Sequence, residues 1–599
     1  METPAAGHYS RLGLLLILAV VLLLRLPFLH QAIQGDDVYY LAAAEHAQIE
    51  PLHPKHVQYV FLGDLVDLRG HPHPPLNDWA LALLLALTGD IREVPFHAGY
   101  IVFSLIAAVA MWSLAKRFSP QPLWAALLFL ATPAFVINGS SLESDLPFLA
   151  FWMAGFALFV TGHRKLAALA LALAALGAYQ AIFATPIQWV YVWLHDRKNR
   201  IAWAVTLTPP VMLLAWQLFE RLSTGALPAK VLSGYLQAYN FQALTAKLAS
   251  AAALSVHACF LIFPALLPGA AILAWRRRRE PDTLFLLSWI GLFFAGAVVV
   301  FFAGSARYLL PIAPPLALLA SHLRAKWLAA GFAAQIVLSL ALAVVNYQHW
   351  DGYRQFAESL RGATANRRVW INADWGLRYY LEADGGIALQ HGQAIRPGDV
   401  VVSSALFSPV ELQQPLVPLA RKEIRPWIPL RLIGLDARSG YSTSSKGLRP
   451  FDISTGPIDQ VRAEMVSERH PTLTDLPMNA PEAPEQIVSG IYSLEGASWR
   501  WMAGRAVVVL KSPAAPTPLR ATFTVPPASP VHRVQLLLDD RVVASLDCPK
   551  PGTFTITSAP LAPAEPTATV ALVADRTFSV SGDRRELSTI LSVIGFSTH

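Results

Sequence analysis

The chain has 599 residues, with 47 basic and 40 acidic side chains and a formal net charge of +7. Hydrophobic residues make up 54% and charged residues 15%, against about 45–50% and about 25% in soluble domains. The mean hydropathy of +0.42 excludes a disordered chain or an ordinary cytosolic enzyme, and indicates a polytopic membrane protein with additional soluble mass. Basic cytoplasmic loops explain the positive charge more simply than nucleic-acid binding does.

Several familiar site types are absent from the sequence. The two cysteines, Cys259 and Cys548, lie in an apolar run and in a β-rich tail, so the sequence does not favour a disulfide between them. No CxxC pair or Cys/His cluster occurs, which excludes a thiolate zinc site. No GxxxxGK[ST] or GxGxxG motif occurs either, which disfavours ATP-driven transport within this chain.

Apolar runs long enough to approach or exceed one membrane span recur through the first 346 residues. The first run is predicted to be a signal-anchor helix and not a cleaved signal peptide, because no A-x-A site follows it. The sequence thus predicts about 11 transmembrane helices. They cover residues 12–29, 96–115, 123–137, 146–161, 166–179, 182–194, 201–219, 251–275, 284–303, 308–321 and 327–345.

Basic residues set the orientation of these helices. If Met1 lies inside, all five predicted inner loops carry Lys or Arg, as the positive-inside rule requires. Residues 81–87 then form an interfacial or re-entrant helix, and the chain after residue 346 lies outside the cytoplasm. The longer predicted outer loops are 31–95, 138–145 and 220–250, and a very short one covers 304–307.

The tail is predicted to contain two folded parts. Residues 347–438 follow a strand–helix–strand–strand pattern typical of a small α/β unit. Residues 439–485 are predicted to be a linker, and residues 486–599, with short alternating strands, a β-sandwich. A packing or spacer role is favoured for the tail over glycan binding, because no constellation of binding residues stands out.

Acidic side chains occur at the start of two helices that face the predicted outer side. Asp36 and Asp37 follow the first apolar run, and Glu143 and Asp145 precede the fourth. Helix capping would explain one acid at each place. A general base, or a metal or sugar ligand, is the alternative for the first pair, and the second pair is predicted to face the first as part of a substrate site.

Basic and aromatic candidates lie in the same outer loops. His71 and His73 stand in HPHPPLNDW, where the intervening proline argues against a metal site. Arg307, followed by Tyr308, lies at the outer end of a span and either extends to lipid headgroups or binds a lipid-linked phosphate. Lys230 is a further substrate-binding candidate in the third outer loop, and Lys247 lies in the same loop.

The order of these motifs resembles the glycosyltransferase C superfamily over roughly residues 10–346. The matching stretches are GDDVYYLAAA, HPPLNDWALALL, ESDLPFLAFW and ARYLLPIAPPLALL. The chain is most similar to bacterial relatives of protein O-mannosyltransferases and lipid A aminoarabinose transferases. The resemblance implies a multi-pass protein of the bacterial inner membrane, with its C-terminal domain extracytoplasmic.

The resemblance also implies an activity and a site. A sugar would pass with inversion from a polyprenyl-phosphate carrier to a glycan, lipid or protein acceptor. Asp36 matches the base, and Asp37 its neighbour, which is more commonly Glu in the family. His73 matches the His/Lys of the Pro-Pro-Leu motif, Asp145 the acid of the second outer loop, and Arg307 the arginine near the carrier phosphate. Some members bind a divalent metal at these acids, so a metal cofactor is possible.

Two other classes of function compete with this interpretation. A secondary transporter or lipid flippase would have ionisable residues near mid-span and two related halves, and no half-to-half similarity is seen. A non-catalytic membrane scaffold that binds glycans would not require the acids or Arg307.

Overall fold

The computed structural model describes residues 4–364, 367–412, 414, 416–466, 471–495, 497–580, 582–583 and 585–597. In chain order the α-helices are α1 Pro4–Arg25, α2 Asp37–His46, α3 Leu76–Thr88, α4 Glu93–Phe118, α5 Pro122–Leu130, α6 Pro133–Asn138, α7 Asp145–Val160, α8 Arg164–Gly177, α9 Ala184–His195, α10 Arg200–Thr206, α11 Thr208–Thr224, α12 Pro228–Ala238, α13 Leu244–Ala258, α14 Leu267–Arg276, α15 Pro281–Val300, α16 Ala313–Ala320, α17 Ala325–Thr364, α18 Trp375–Ala383 and α19 Ala483–Gln486.

The strands are β1 Gln58–Phe61, β2 Asp64–Asp67, β3 Val369–Asn372, β4 Ile387–Ala388, β5 Val400–Ser404, β6 Leu416–Ile424, β7 Leu430–Arg431, β8 Asp452–Ile453, β9 Asp459–Val466, β10 Asp475–Pro477, β11 Ile487–Glu495, β12 Trp499–Lys511, β13 Thr517–Val525, β14 Arg533–Leu538, β15 Arg541–Asp547, β16 Gly552–Leu561, β17 Thr567–Ala574 and β18 Ile590–Phe596.

The apolar runs are helical, and several of them are broken. Each predicted run coincides with a helix or with two helices joined by a break. In the part of the chain that the structure describes, four helices are long and apolar enough to cross a membrane alone: Arg11–Phe28, Glu93–Phe118, Pro281–Val300 and Ala325–Gly362. Helices α10 and α11, bent by 43°, make a fifth if they form one span. The polytopic helical fold is therefore supported, and the count of about 11 is not confirmed.

Proline is one cause of these helix breaks. Hydropathy alone does not reveal where the breaks lie. Thr132 precedes Pro133 and has an extended ψ of 125°, because proline disfavours the helical region for the residue before it. The break leaves main-chain carbonyls without helical partners. The Ser339 hydroxyl donates to the carbonyl oxygen of Ala131 at 2.6 Å, and the Thr132 hydroxyl donates to that of Leu261, in the break between α13 and α14, at 3.0 Å. Side chains thus satisfy backbone groups that lipid could not.

Arg25, the charged residue inside the first apolar run, has a structural role. Its side chain is buried and donates hydrogen bonds to the carbonyl oxygens of Phe135 and Val136 at 2.7 and 2.9 Å and to the Ser104 hydroxyl at 2.9 Å. A cation near the last carbonyls of α6 stabilises that short helix. The helix leads directly into the second predicted outer loop.

The loops separate onto two ends of the helical bundle. At one end, basic turns converge on Asp282, whose carboxylate oxygens lie 2.8 Å from Arg117 Nη1 and 2.8 Å from His195 Nε2. At the other end lie the predicted outer loops and the tail, where the Tyr39 hydroxyl donates to Asp374 Oδ2 at 2.5 Å. The two groups of loops predicted to face opposite sides therefore lie at opposite ends of the bundle.

The first part of the tail is a mixed α/β sheet, as the strand and helix pattern predicts. Its order is β4-β3-β5-β9-β6, with β3, β4 and β5 parallel and the other pairs antiparallel. Helix α18 connects β3 to β4. The last transmembrane helix, α17, continues across residue 346 to Thr364, so no loop separates it from the tail.

The predicted linker, residues 439–485, needs correction. Strand β9 lies within it and pairs with both β5 and β6. Its sequence, DQVRAEMV, alternates buried and more exposed positions, which is the period of a half-buried strand. The polar and proline-rich residues on either side hid this strand in the sequence.

The C-terminal part is all β, as predicted, but its strands form one hydrogen-bonded sheet and not the two separate sheets of a β-sandwich. Among the described residues, nine strands form one connected sheet, ordered β15-β14-β17-β12-β18-β13-β16, with β10 paired to β18 and β11 to β12. Register shifts interrupt several of these pairings. Such irregularities bend strands and allow one sheet to enclose an apolar core that includes Phe523, Leu536 and Ile594.

Candidate active site

Three acids from two loops surround one arginine. Arg307 Nη2 lies 2.8 Å from Asp36 Oδ2, and Arg307 Nη1 pairs with Glu143 Oε2. Arg307 Nε lies 3.5 Å from Asp145 Oδ2, and neither oxygen of Asp145 has a hydrogen-bond partner among the described residues. The prediction that the two acidic pairs face each other is supported for these three residues, which we call the acidic cluster.

Asp36 differs from the other acids of the cluster in exposure. Its side chain is 33% exposed, whereas those of Glu143 and Asp145 are 5% and 3% exposed. Asp36 precedes α2 at the N-cap position, yet its side chain makes no capping hydrogen bond. The capping explanation is therefore wrong for Asp36, and its carboxylate remains accessible to another molecule.

Local backbone geometry brings the two acidic loops together. Gly35 has a φ of +46°, and a Cβ atom at this position would lie 2.6 Å from Glu143 Oε1. The same Glu143 oxygen accepts a hydrogen bond from the main-chain N–H of Asp36 at 3.1 Å. Glycine is required here for both its left-handed conformation and its lack of a side chain.

Asp37 lies on the other side of the same turn and has a different environment. It is fully buried and accepts hydrogen bonds from the main-chain N–H groups of Gln34 and Leu142 and from the Ser141 hydroxyl, at 3.0, 2.8 and 3.1 Å. Burial raises the pKa of Asp37 to about 7. These contacts hold the first acidic loop to the second, and the catalytic role predicted for Asp37 stays a prediction.

A second, basic cluster lies one helical turn from Asp36. Tyr40 and Asp36 are four residues apart and therefore share a face of α2. The Tyr40 hydroxyl lies 2.8 Å from His73 Nδ1, which places this predicted residue in the site. Lys55 Nζ lies 3.3 Å from His71 Nδ1 and 5.3 Å from the centre of the Tyr40 ring. We call Lys55, His71 and His73 the basic cluster.

The charges of the basic cluster follow from its burial. Burial, with the neighbouring Lys55 charge second, lowers the pKa of both His71 and His73 well below the ordinary value, so both imidazoles are neutral near pH 7. Burial also lowers the pKa of Lys55, and Asp78 opposes this effect with a carboxylate oxygen 3.4 Å from Nζ. Of the three residues of the basic cluster, Lys55 is thus the one that pairs with an acid.

Sequence reasoning did not identify Lys55, which stands in PLHPKHV with no motif around it. A cue was available in Asp78, which follows the Pro-Pro-Leu motif and lies on the buried face at the start of α3. A fully buried acid normally has a cationic partner. The partner could not be chosen without the tertiary structure.

The remaining predicted residues have mixed positions. Tyr308 is buried, with its ring centre 4.5 Å from that of Phe301 and 5.5 Å from the Arg307 guanidinium carbon. Lys230 is exposed on α12, and no hydrogen bond or ion pair joins it to either cluster in the described part of the chain. Lys247 donates to the carbonyl oxygens at the end of α15, including that of Val299 at 3.0 Å, which is a helix-capping role.

The donor set of the acidic cluster does not suit a divalent metal. The Arg307 guanidinium already lies among the three carboxylates, and a cation placed there would meet its positive charge. Among the described residues, no group of three or more His, Cys, Asp or Glu side chains is arranged to hold a metal ion. No chemical step is therefore assigned to a metal.

Comparison with solved structures gives distant similarities. ArnT from Cupriavidus metallidurans bound to undecaprenyl phosphate has 13% identity and a TM-score of 0.45, over 67% of this chain and 94% of that chain. Arabinofuranosyltransferase AftD from mycobacteria has 13% identity and a TM-score of 0.38, over 99% of this chain and 59% of that chain. Arabinosyltransferase EmbB from Mycobacterium smegmatis has 11% identity and a TM-score of 0.30, over 99% and 65%.

Comparison at the level of sequence is more specific. No curated protein matches the chain at a significant level. Residues 72–217 match the family model described as dolichyl-phosphate-mannose-protein mannosyltransferase. The match begins within the HPHPPL motif that holds His73 and includes both acids of the second outer loop. The resemblance to the glycosyltransferase C superfamily, first recognised in the sequence motifs, is confirmed over residues 72–217.

Proposed function

We propose that this protein transfers a sugar, with inversion, from a polyprenyl-phosphate carrier to an acceptor hydroxyl at the end of the bundle where the acidic and basic clusters lie. The observation that carries the proposal is the Asp36 carboxylate, partly exposed and paired with Arg307 at 2.8 Å. It lies one helical turn before Tyr40, which contacts a buried lysine and two histidines. The family match over residues 72–217 supports a lipid-phosphate sugar donor. A glycan, a lipid or a protein supplies the acceptor hydroxyl.

Asp36 is proposed as the general base. The acceptor oxygen attacks the anomeric carbon, the bond between that carbon and the phosphate oxygen breaks, and Asp36 takes the acceptor proton. The polyprenyl phosphate leaves with the bonding electrons. Asp36 is suited to this role because its side chain is the most exposed of the cluster, and a positioned base contributes about 10²–10⁴-fold to such a step.

Arg307 and the buried acids are proposed to orient this base. The guanidinium donates to Asp36 and Glu143 through different nitrogens, which restricts the rotation of both carboxylates. A planar guanidinium is well suited to such multiple pairing. The phosphate role predicted for Arg307 is retained only as the alternative, because acids already engage its terminal N–H groups.

The basic cluster is proposed to bind the carrier phosphate. Lys55 offers a positive charge and further N–H donors, and the neutral imidazoles of His71 and His73 can each donate one hydrogen bond. Stabilisation of the negative charge on a leaving phosphate is a large term in group transfer. Because a lipid-phosphate sugar is already activated, the site needs no nucleotide pocket.

The test is an assay of the purified full-length protein in lipid nanodiscs with a panel of polyprenyl-phosphate sugars and candidate acceptors. We expect a glycosylated product with the anomeric configuration opposite to that of the donor, determined by NMR. A product with retained configuration would contradict the single displacement and the base role. Movement of intact carrier between leaflets, with no product from any donor in the panel, would favour the transporter alternative.

A further inference from the structure

The tail contributes a residue to the wall of the acidic cluster. Residues 439–449 form a closed loop between β7 and β8, which we call the Tyr441 loop. Its base is joined by a hydrogen bond from the Gly440 N–H to the Arg449 carbonyl oxygen at 3.0 Å. Tyr441 itself is buried, although the loop belongs to a soluble segment far along the chain from the acidic residues.

The main chain of Tyr441 holds the segment that carries Arg307. Its carbonyl oxygen accepts hydrogen bonds from the Ser305 hydroxyl at 3.0 Å and from the Ala306 N–H at 3.1 Å. Ser305 also accepts a hydrogen bond from the Arg307 N–H at 3.4 Å, at the start of the 3-10 helix Ala306–Ile312. Arg307 is therefore the second residue of a short helix whose start is held by hydrogen bonds to the tail.

The side chain of Tyr441 holds the opposite wall. Its hydroxyl donates a hydrogen bond to Asn138 Oδ1, at the end of α6. The carbonyl oxygen of Asn138 accepts from the Ser141 N–H at 3.2 Å, and the Ser141 hydroxyl accepts from the Glu143 N–H at 3.0 Å. One tyrosine thus connects the segment that carries Arg307 with the turn that carries Glu143.

The conformation of the loop is specified by glycine at two close approaches. A Cβ atom on Gly440 would lie 2.1 Å from the Thr443 carbonyl oxygen, and one on Gly447 would lie 2.3 Å from the Arg438 carbonyl oxygen. Lys446 Nζ donates to the Leu406 carbonyl oxygen at 2.7 Å, which anchors the loop to the α/β sheet. Close contacts within the Tyr441 loop and the hydrogen bond to the α/β sheet thus define the conformation of the loop.

We propose that Tyr441 is a positioning residue for the transfer reaction, supplied by the tail, which keeps Arg307 and Glu143 at the separation that orients Asp36. The tail is then part of the catalytic unit and has more than the packing or spacer role that its sequence favoured. The catalytic half of this proposal rests on the proposed function, whereas the structural half does not.

The structural half is tested by hydrogen–deuterium exchange on the full-length protein. Tyr441→Phe removes only the hydroxyl and leaves the main-chain hydrogen bonds to Ser305 and Ala306. We expect exchange in residues 138–144 to rise about fivefold to tenfold, the effect of losing one buried hydrogen bond. Exchange in residues 303–310, which keep their hydrogen bonds to the Tyr441 main chain, should change less. The matched control is Tyr492→Phe, which removes a tail hydroxyl bonded to the Glu586 carbonyl oxygen and should leave both segments unchanged. Unchanged exchange in Tyr441→Phe would overturn the proposal.

The catalytic half is tested by steady-state kinetics on the same variants. We expect kcat of Tyr441→Phe to fall about tenfold with little change in the donor KM, because the tyrosine acts on the acidic cluster and not on the basic cluster. Asn138→Ala should have a similar effect, and the double variant should be little worse than either single one. Raised exchange with wild-type kcat would overturn the catalytic half. A wild-type protein that transfers no sugar would overturn the proposed function and leave the exchange result to decide the structural half.

Discussion

The Asp36 carboxylate and the Arg307 guanidinium lie 2.8 Å apart although 271 positions separate them in the sequence. One follows the first transmembrane helix, and the other lies in the short 3-10 helix before α16. Their pairing joins these two distant segments at a site where two loops contribute two acids each, Asp36 and Asp37 from one and Glu143 and Asp145 from the other. The predictions below separate the roles of the residues around this pair.

Replacing Asp36 by Asn should abolish most transfer without loss of folding. The substitution keeps the side-chain volume but removes the proton acceptor, so we expect activity to fall by about 10²-fold or more. Because Asp36 makes no capping hydrogen bond, α2 should be unaffected, and the thermal unfolding temperature should stay close to that of the wild type. The control is Asp90→Asn, an exposed acid after α3. A folded Asp36→Asn enzyme with full activity would exclude Asp36 as the base.

Replacing Arg307 should affect both stability and turnover. Arg307→Ala leaves the buried carboxylates of Glu143 and Asp145 without a counterion, and breaking a buried ion pair lowers the free energy of unfolding by about 3–5 kcal/mol. Arg307→Lys keeps the charge but cannot donate to several carboxylates at once, so its loss should be intermediate. Thermal unfolding and transfer assays check both variants, with the exposed Arg92→Lys as control. If Arg307→Lys raises only the donor KM and leaves stability unchanged, the arginine binds phosphate and does not organise the acids.

Replacing Lys55 by Gln should weaken use of the carrier. The variant loses the positive charge of the basic cluster, and we expect the donor KM to rise about tenfold, in line with the strength of a charge-assisted hydrogen bond. Lys230→Gln is the matched control, because Lys230 is exposed on α12. Lys55→Gln leaves Asp78 without its partner, so the stability of this variant must also be measured. The double variant Lys55→Gln/Asp78→Asn removes both charges. A wild-type KM in that double variant would contradict the phosphate role.

Replacing Gly35 by Ala should distort the acidic cluster. Gly35 and Gly89 both have positive φ angles, of +46° and +72°, but only Gly35 has a neighbour within 4 Å of an added Cβ atom, namely the Glu143 carboxylate. Gly89→Ala should therefore cost only the left-handed backbone penalty, about 1–2 kcal/mol, measured by thermal or chemical unfolding. Gly35→Ala should lose more stability and also lose transfer activity. Equal effects of the two variants would argue against a tight approach between Gly35 and Glu143.

Chelation should leave activity intact. The Arg307 guanidinium already lies among the three carboxylates of the acidic cluster, so we expect transfer to persist after dialysis against EDTA and to change little on addition of Mg²⁺ or Mn²⁺. The measurement is the initial rate of transfer before and after chelation, with metal content determined in parallel. Loss of activity that a divalent ion restores would place a metal at the site.

The sequence by itself determined the features that depend on near neighbours in the chain. Apolar runs predicted where helices lie, and basic turns predicted which loops share one end of the bundle, because hydropathy and charge act residue by residue. The strand–helix–strand–strand pattern of residues 347–438 likewise predicted the strands β3, β4 and β5 and the helix α18. The motif order was sufficient to indicate the superfamily and to select Asp36, Asp37, His73, Asp145 and Arg307 as candidates, and the acids before the fourth apolar run added Glu143.

Only the tertiary structure decided which of those residues are exposed and which residues they contact. Asp36 and Asp37 are adjacent and chemically identical, yet one is partly exposed beside Arg307 and the other is buried among main-chain donors, because successive side chains at the start of a helix point in different directions. Lys55 joins the site through His71, 16 positions away, and Tyr441 through Asn138, 303 positions away. No local pattern encodes such pairings, since they depend on how helices broken at sites such as Thr132–Pro133 pack against one another and against the tail.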